Sequence, residues 1–284
     1  MTSYFAQLPD RTIVTVSGED SVEFLQGLVT NDITRASTEE AVFSALLTPQ
    51  GKFLFDFFVV SEGDKLLLDV AAEGAEDLIK RLMRFRLRAK VQLEKSDEDM
   101  SVWAIWGDRP EVPAGVGNTF SDPRHDGLGW RLVTTANPES ALIEAGLVAS
   151  DADAYDAMRL DLAIPDGAKD LKVESSALLE SNYDALNAIS WDKGCYMGQE
   201  LTARTRYRGL VKRRLVSIEF DGDRLAPETP VTRDGRTVGE VRSSRGGRGL
   251  ASLRLDALEP DQQAQLMAGD AVLQARLPDY LIAQ

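Results

Sequence analysis

Strand-forming stretches in this chain come in hairpin-linked runs rather than in regular alternation with helices, and that pattern constrains the fold more than any other feature. Thr12–Ser17 (TIVTVS) is rich in β-branched residues and reads as a strand. Gly18 breaks it, and Asp20 and Glu23, in capping-box spacing, open a helix over Ser21–Leu28 with apolar residues at Val22, Leu25 and Val29. Ala41–Leu47 and Phe53–Ser61 form a hairpin about Thr48-Pro49-Gln50-Gly51, and Leu66–Ala71 adds a further strand. Ala75–Leu87 returns to helical spacing: Leu78, Ile79, Leu82, Met83 and Phe85 are its apolar residues, and Lys80, Arg81, Arg84, Arg86 and Arg88 form a solvated basic face. Short strands at Val91–Leu93 and Val102–Trp106 and a helix at Ala154–Leu162 follow. Strand groups with interspersed helices and no βαβ repeat predict an α+β fold, not a doubly wound parallel sheet. From Leu210 onward, Asp221-Gly222, Asp234-Gly235 and Gly246-Gly247 separate extended segments at Leu210–Phe220, Val231–Arg233, Thr237–Ser243, Leu250–Leu255 and Val272–Ala275. This predicts a small all-β domain over 210–284 after an α+β region over 1–209, and 284 residues suit about two domains.

Composition narrows the chemistry. Asp and Glu outnumber Lys and Arg by 46 to 32, a formal charge of -14, so direct nucleic-acid binding is not expected. One Cys excludes an internal disulfide, and one Cys with one His excludes a single-chain Cys/His zinc site, so no metal site is expected. The lone His125 lies in the Gly-rich stretch Gly107–Gly129, where a solvated or structural role is the ordinary one. A single thiol fits a reducing compartment, and Met1–Arg11 has no apolar export segment, so the expected location is cytoplasmic. Ala41–Leu47 and Phe53–Val60 are far shorter than the roughly 20 residues that span a bilayer, and no membrane partner is expected.

The densest chemical signal is Asp192-Lys193-Gly194-Cys195-Tyr196-Met197-Gly198-Gln199-Glu200. A neighbouring ammonium from Lys193 and a helix starting near Gln199 both favour a thiolate at Cys195. The same cysteine could equally be a small buried hydrophobe. Downstream, Arg204, Arg206, Arg208, Lys212, Arg213 and Arg214 place six cations within eleven residues, with Tyr207 among them. A strand or loop of this kind would grip an anionic ligand or single-stranded nucleic acid by charge and stacking, or simply form a solvated face. Asp56 interrupts an apolar strand on the face of Leu54 and Phe58, where a charge needs a partner. Asp161 ends the helix Met158-Arg159-Leu160-Asp161-Leu162.

Lys193-Gly194-Cys195-Tyr196-Met197-Gly198-Gln199-Glu200 resembles the K-G-C-[FY]-x-G-Q-E signature of the YgfZ family, folate-binding relatives of the glycine-cleavage aminomethyltransferase (T-protein). The likeness extends to Gly18-Glu19-Asp20, to Phe24 through Asp32 including Asn31, to Leu47 through Lys52, and to Glu200 through Gly209. It implies an aminomethyltransferase-like folate-binding fold with a C-terminal β-barrel. The implied role is folate-dependent assembly or maintenance of iron–sulfur proteins of the 4Fe–4S type, including enzymes that modify tRNA. The partners implied are tetrahydrofolate or a derivative and iron–sulfur client or assembly proteins. One thiol is too few to hold a cluster, so Cys195, with Lys193 beside it, would act as a transient ligand or redox thiol. Asp56 falls where aminomethyltransferases carry an aspartate, and Asp161 replaces the glutamate of their R-L-E-A-G motif, one methylene shorter. A carboxylate suits the paired N–H donors of a pterin. Asn31, Gln199 and Glu200 belong to the same implied binding set, and Arg204, Arg206, Tyr207 and Arg208 would hold the glutamate tail. The alternative implied by the family is a turnover enzyme, a folate-dependent aminomethyl- or methyltransferase.

Overall fold

A computed structural model describes residues 2–96, 100–108, 112–258 and 265–282. The chain divides by contact into two compact units: Met1–Leu47, Leu54–Tyr155 and Leu186–Met197 make the first, and Thr48–Phe53, Asp156–Ala185 and Gly198–Gln284 the second.

The first unit carries two five-stranded sheets. One runs in the order Val42–Leu47, Phe53–Glu62, Lys65–Ala71, Arg11–Ser17 and Gln92–Lys95. Its central hairpin pairs Glu62 with Lys65 about Gly63-Asp64, where Gly63 takes the positive φ that a two-residue turn requires. Phe53–Glu62 is apolar on both faces because both are covered. Phe57 and Val59 join a core with Leu25, Leu78 and Leu82 from the helices Ser21–Gln26 and Ala75–Met83, and Leu54 packs into that same core rather than with Asp56. Phe58 faces the other way. The second sheet runs Val148–Ala149, Ser3–Gln7, Ser101–Gly107, Trp130–Thr134 and Asn118–Ser121. It meets the first where Phe58 packs on Phe120, with ring centroids 6.3 Å apart.

The second unit contains a closed six-stranded barrel in the order Arg213–Phe220, Arg248–Arg254, Arg236–Arg245, Pro230–Arg233, Leu266–Ala268 and Ala271–Arg276. Val216, Ile218, Val231, Val241, Ala251, Leu253 and Leu273 fill it. Closure leaves no free strand edge in the barrel.

Three local expectations are corrected. Asp20 makes no capping bond to its helix; its carboxylate instead accepts from the backbone N–H of Lys90 at 2.7 Å, 70 residues away. The segment after Val91 is a strand over Gln92–Lys95, reaching past Leu93. Gly107–Gly129, of which residues 109–111 lie outside the described set, contains the strand Asn118–Ser121. Within it the Nδ1 of His125 accepts from the N–H of Gly127 at 3.0 Å, a structural use of the chain's only histidine.

Candidate functional site

Between the two sheets of the first unit lies a buried set of charges. Asp69 accepts from Arg11 at 2.7 Å and from Arg131 at 2.5 Å; Asp122 accepts from Arg124 at 2.7 Å and from Arg131 at 3.2 Å. All three guanidiniums gather on the ring of Phe58, with Arg131 4.0 Å, Arg124 4.9 Å and Arg11 5.8 Å from its centroid. Asp56 is only 7% exposed, and its charge acts on Arg124, which supplies the partner that a carboxylate inside an apolar strand requires. Three acids and three arginines thus balance. Burial alone would raise the pKa of Asp122, but Arg124 and Arg131 outweigh it and hold the carboxyl down at about 2. Tyr155 packs edge-on against Trp106, and burial pushes its pKa up. Among the described residues no group hydrogen-bonds its buried hydroxyl, which feels Arg131, Asp122 and Arg124.

Arg124 also lies 5.5 Å from the ring centroid of Phe43, which lines a cleft of about 330 Å3 in the same unit together with Asn31, Arg35, Glu40, Ser121 and Asn187. Asn31 is a clamp in its wall. Its Nδ2 donates to the carbonyls of Phe43 and Asn187, both at 2.7 Å, and its Oδ1 accepts from Asp32 N–H at 2.8 Å. Lys193 fastens the Cys195 loop to this same segment, since its Nζ donates to the carbonyls of Val29 at 2.6 Å and Asn31 at 2.7 Å. Burial lowers the Lys193 pKa to about 8, with Asp32 opposing the shift. Its ammonium is therefore spent on backbone carbonyls and on the Tyr196 ring, 5.6 Å away, while Cys195 itself stands exposed. Gly194 and Gly198 flank the thiol with φ of 93° and 81°, values that side-chain-bearing residues rarely adopt.

The remaining expected residues fall in the second unit. The helix expected to start near Gln199 runs over Gln199–Tyr207 and takes in the first arginines, which were expected on a strand or loop, so Arg204 and Arg208 lie one turn apart on one face and Arg206 points elsewhere. Glu200 lies in its first turn, and Tyr207 is 75% exposed. Asp161 is held at the surface by Arg248 at 2.6 Å. The structure gathers Asp56, Asn31, Lys193 and Cys195 in the first unit and Asp161, Gln199, Glu200, Arg204, Arg206, Tyr207 and Arg208 in the second. Sequence reasoning missed Asp69, Asp122, Arg124 and Arg131. The signal for Asp69 was present in Leu66–Val70, another apolar strand broken by one carboxylate. Among the described residues no group of three or more His, Cys, Asp or Glu could hold a metal ion.

Residues 11–113 match the GCVT N-terminal domain, and residues 212–281 match the CAF17 C-terminal beta-barrel domain. The chain is 32% identical over 302 residues to the human mitochondrial iron-sulfur cluster assembly factor IBA57, covering 96% of this chain and 84% of that protein. It is 32% identical over 286 residues to the mitochondrial IBA57 homolog of Pyricularia oryzae, covering 90% and 73%. In fold it is similar to the glycine cleavage system aminomethyltransferase T from Bartonella henselae, with a TM-score of 0.76 at 13% identity over 97% of this chain and 85% of that one. The α+β, aminomethyltransferase-like fold with a C-terminal barrel is as expected. The cytoplasmic expectation is corrected, because the relatives are mitochondrial proteins. A lone thiol reports a reducing environment, which an organelle interior also offers, and so could not distinguish the two.

Proposed function

Because the chain belongs to the family of IBA57 iron–sulfur cluster assembly factors, we propose that it is a folate-binding accessory protein that assembles or maintains 4Fe–4S proteins, tRNA-modifying enzymes among them. In this reading residues 1–209 form the folate-binding region and residues 210–284 the barrel domain, and Lys193-Gly194-Cys195-Tyr196-Met197-Gly198-Gln199-Glu200 is the working signature. The observation that carries it is the exposure of Cys195 on a loop that Lys193 pins to the Val29–Asn31 segment. A structural cysteine would be buried, whereas a thiol that meets a cluster or a partner protein must be reachable and fixed. Lys193 is then a positioning residue, and Cys195 the group that makes contact.

The residues of the first unit fit a folate. The Asn31–Phe43 cleft lies in the size range of small-ligand sites. Beside the Arg35–Glu40 pair and the Asn187 Nδ2 bond to the Pro123 carbonyl, it offers the second Glu40 oxygen and the Asn187 Oδ1 to a pterin's N–H donors, and the Asp56 charge acts on Arg124 behind it. The orphaned Tyr155 hydroxyl marks a place where a polar group from outside the chain is accepted. Folate, when bound, supplies a carrier for one-carbon units; the chain's own groups bind and orient it. Arg204 and Arg208 supply the basic pair for an anionic partner, with Arg206, Tyr207, Gln199 and Glu200 on the same helix. Asp161, already paired with Arg248, contributes only a free carboxylate edge. A turnover transferase is the weaker reading, since the charge of Asp56, which that chemistry would set against a reacting nitrogen, is already engaged with Arg124.

Anaerobic calorimetry with tetrahydrofolate tests the folate reading. Wild type and Cys195→Ser are expected to bind alike and Asp56→Asn to bind at least tenfold more weakly. Tyr155→Phe is expected to lose about tenfold, one hydrogen bond's worth, with unchanged or higher unfolding stability. If wild type shows no heat of binding, folate is abandoned and the family role stands alone.

A further inference from the structure

A helix with a merely solvated basic face was expected over Ala75–Leu87, yet the helix ends at Met83 and the chain beyond it takes a different course. From Met83 to Arg88 the sequence alternates apolar and cationic residues, Met83-Arg84-Phe85-Arg86-Leu87-Arg88. Leu78 and Leu82 bury the helix in the sheet core, but Met83 and Phe85 are more than a third exposed and Leu87 is 89% exposed. Leu87 has a φ of 44°, a left-handed conformation that only a committed turn imposes on a γ-branched side chain. The base of this turn is fixed. A side chain at Gly18 would come within 2.1 Å of the Lys90 carbonyl, Asp20 accepts the Lys90 N–H, and Val91 is buried. The apex is therefore held out from the surface by a rigid footing. Lys80 and Lys90 have carboxylate partners, whereas among the described residues Arg84, Arg86 and Arg88 have none.

We propose that this apex is a peripheral docking element for an anionic lipid surface, with Leu87 and Phe85 entering the headgroup boundary and Arg84, Arg86 and Arg88 meeting the lipid phosphates. Exposed apolar side chains alternating with arginines suit a deformable layer into which the apolar groups sink while the cations stay at its charged boundary. The rest of the chain, acidic overall, would be repelled by such a surface at close range, which orients the protein so that only this element touches. An acidic protein surface offers the same charge complement but no apolar layer to receive Leu87, and it becomes an outcome of the test.

The full chain is mixed with vesicles of phosphatidylcholine alone and of phosphatidylcholine with 30% phosphatidylglycerol, and the bound fraction is read by flotation at about 50 mM salt. Wild type is expected on the anionic vesicles and not on the neutral ones. Arg84→Gln, Arg86→Gln and Arg88→Gln combined should weaken binding about a hundredfold, since each cation near an anionic surface is worth about fivefold. Leu87→Ser should weaken it with all three arginines present, which charge attraction alone does not predict. These side chains are exposed, so each variant should keep the wild-type melting temperature. If wild type ignores anionic vesicles, or if either variant binds like wild type, the lipid assignment fails and the apex is left as a site for protein.

Discussion

Replacing Arg131 with methionine is expected to lower the unfolding free energy by about 3–5 kcal/mol, as read from urea denaturation. Among the described residues, Arg131 alone bridges both carboxylates, Asp69 and Asp122, and it also covers Phe58 at 4.0 Å. Methionine can replace the contact with the ring but not the two charges. Each aspartate would keep one arginine, so the network would be left with an excess negative charge in a region that is almost dry. A loss below 1 kcal/mol would mean that the gap between the sheets admits water and that the network is weakly coupled. The same network sets the acid limit of the fold. The Asp122 carboxyl is at about 2 when folded against an ordinary value of 3.8, so the folded state binds protons less readily than the unfolded one. That contribution, about 2 kcal/mol, is fully present above pH 4 and disappears as the pH falls through 2. Asp122→Asn should flatten stability across this window.

Cys195→Ser is expected to leave stability within about 0.5 kcal/mol of wild type, because the side chain is exposed. In cells lacking the native protein it should reduce the activity of dependent 4Fe–4S enzymes at least tenfold. Lys193→Met should separate the two properties. It removes the donor shared by the Val29 and Asn31 carbonyls, costing about 1–3 kcal/mol, and lets the loop move while the thiol remains. An intermediate cellular defect with intact folate binding would identify positioning as the role of Lys193. Full rescue by Cys195→Ser would remove the thiol from the mechanism.

Where the sequence could be read, the reason was period. Phe53–Glu62 and Lys65–Ala71 each carry an apolar run broken by a single carboxylate, Ala75–Met83 carries helical apolar spacing, and their ends fell within a few residues of expectation. Ser3–Gln7, Trp130–Thr134 and Leu266–Ala268 were missed because they are short and draw their order from neighbours distant in the chain. The same distinction holds at the site. The Cys195 loop is a contiguous motif and could be found by inspection. Arg11, Asp69, Asp122, Arg124 and Arg131 come from four separate strands and loops, and in sequence all but Asp69 look like ordinary surface charges. Arg204, Arg206 and Arg208 alternate as strand residues would, so only the helix that holds them shows that Arg206 leaves the other two.

The discontinuous assignment of chain to the two units has a consequence for biosynthesis. The closing segment of the first unit, Leu186–Met197, is made only after two segments of the second unit, Thr48–Phe53 and Asp156–Ala185. Until it leaves the ribosome, the Val29 and Asn31 carbonyls wait for Lys193, and the Asn31 amide waits for the Asn187 carbonyl. A nascent chain cannot bank its first unit and move on to the next. Through that interval the first unit stands without these contacts, and slowing elongation there is expected to lower the yield of folded protein.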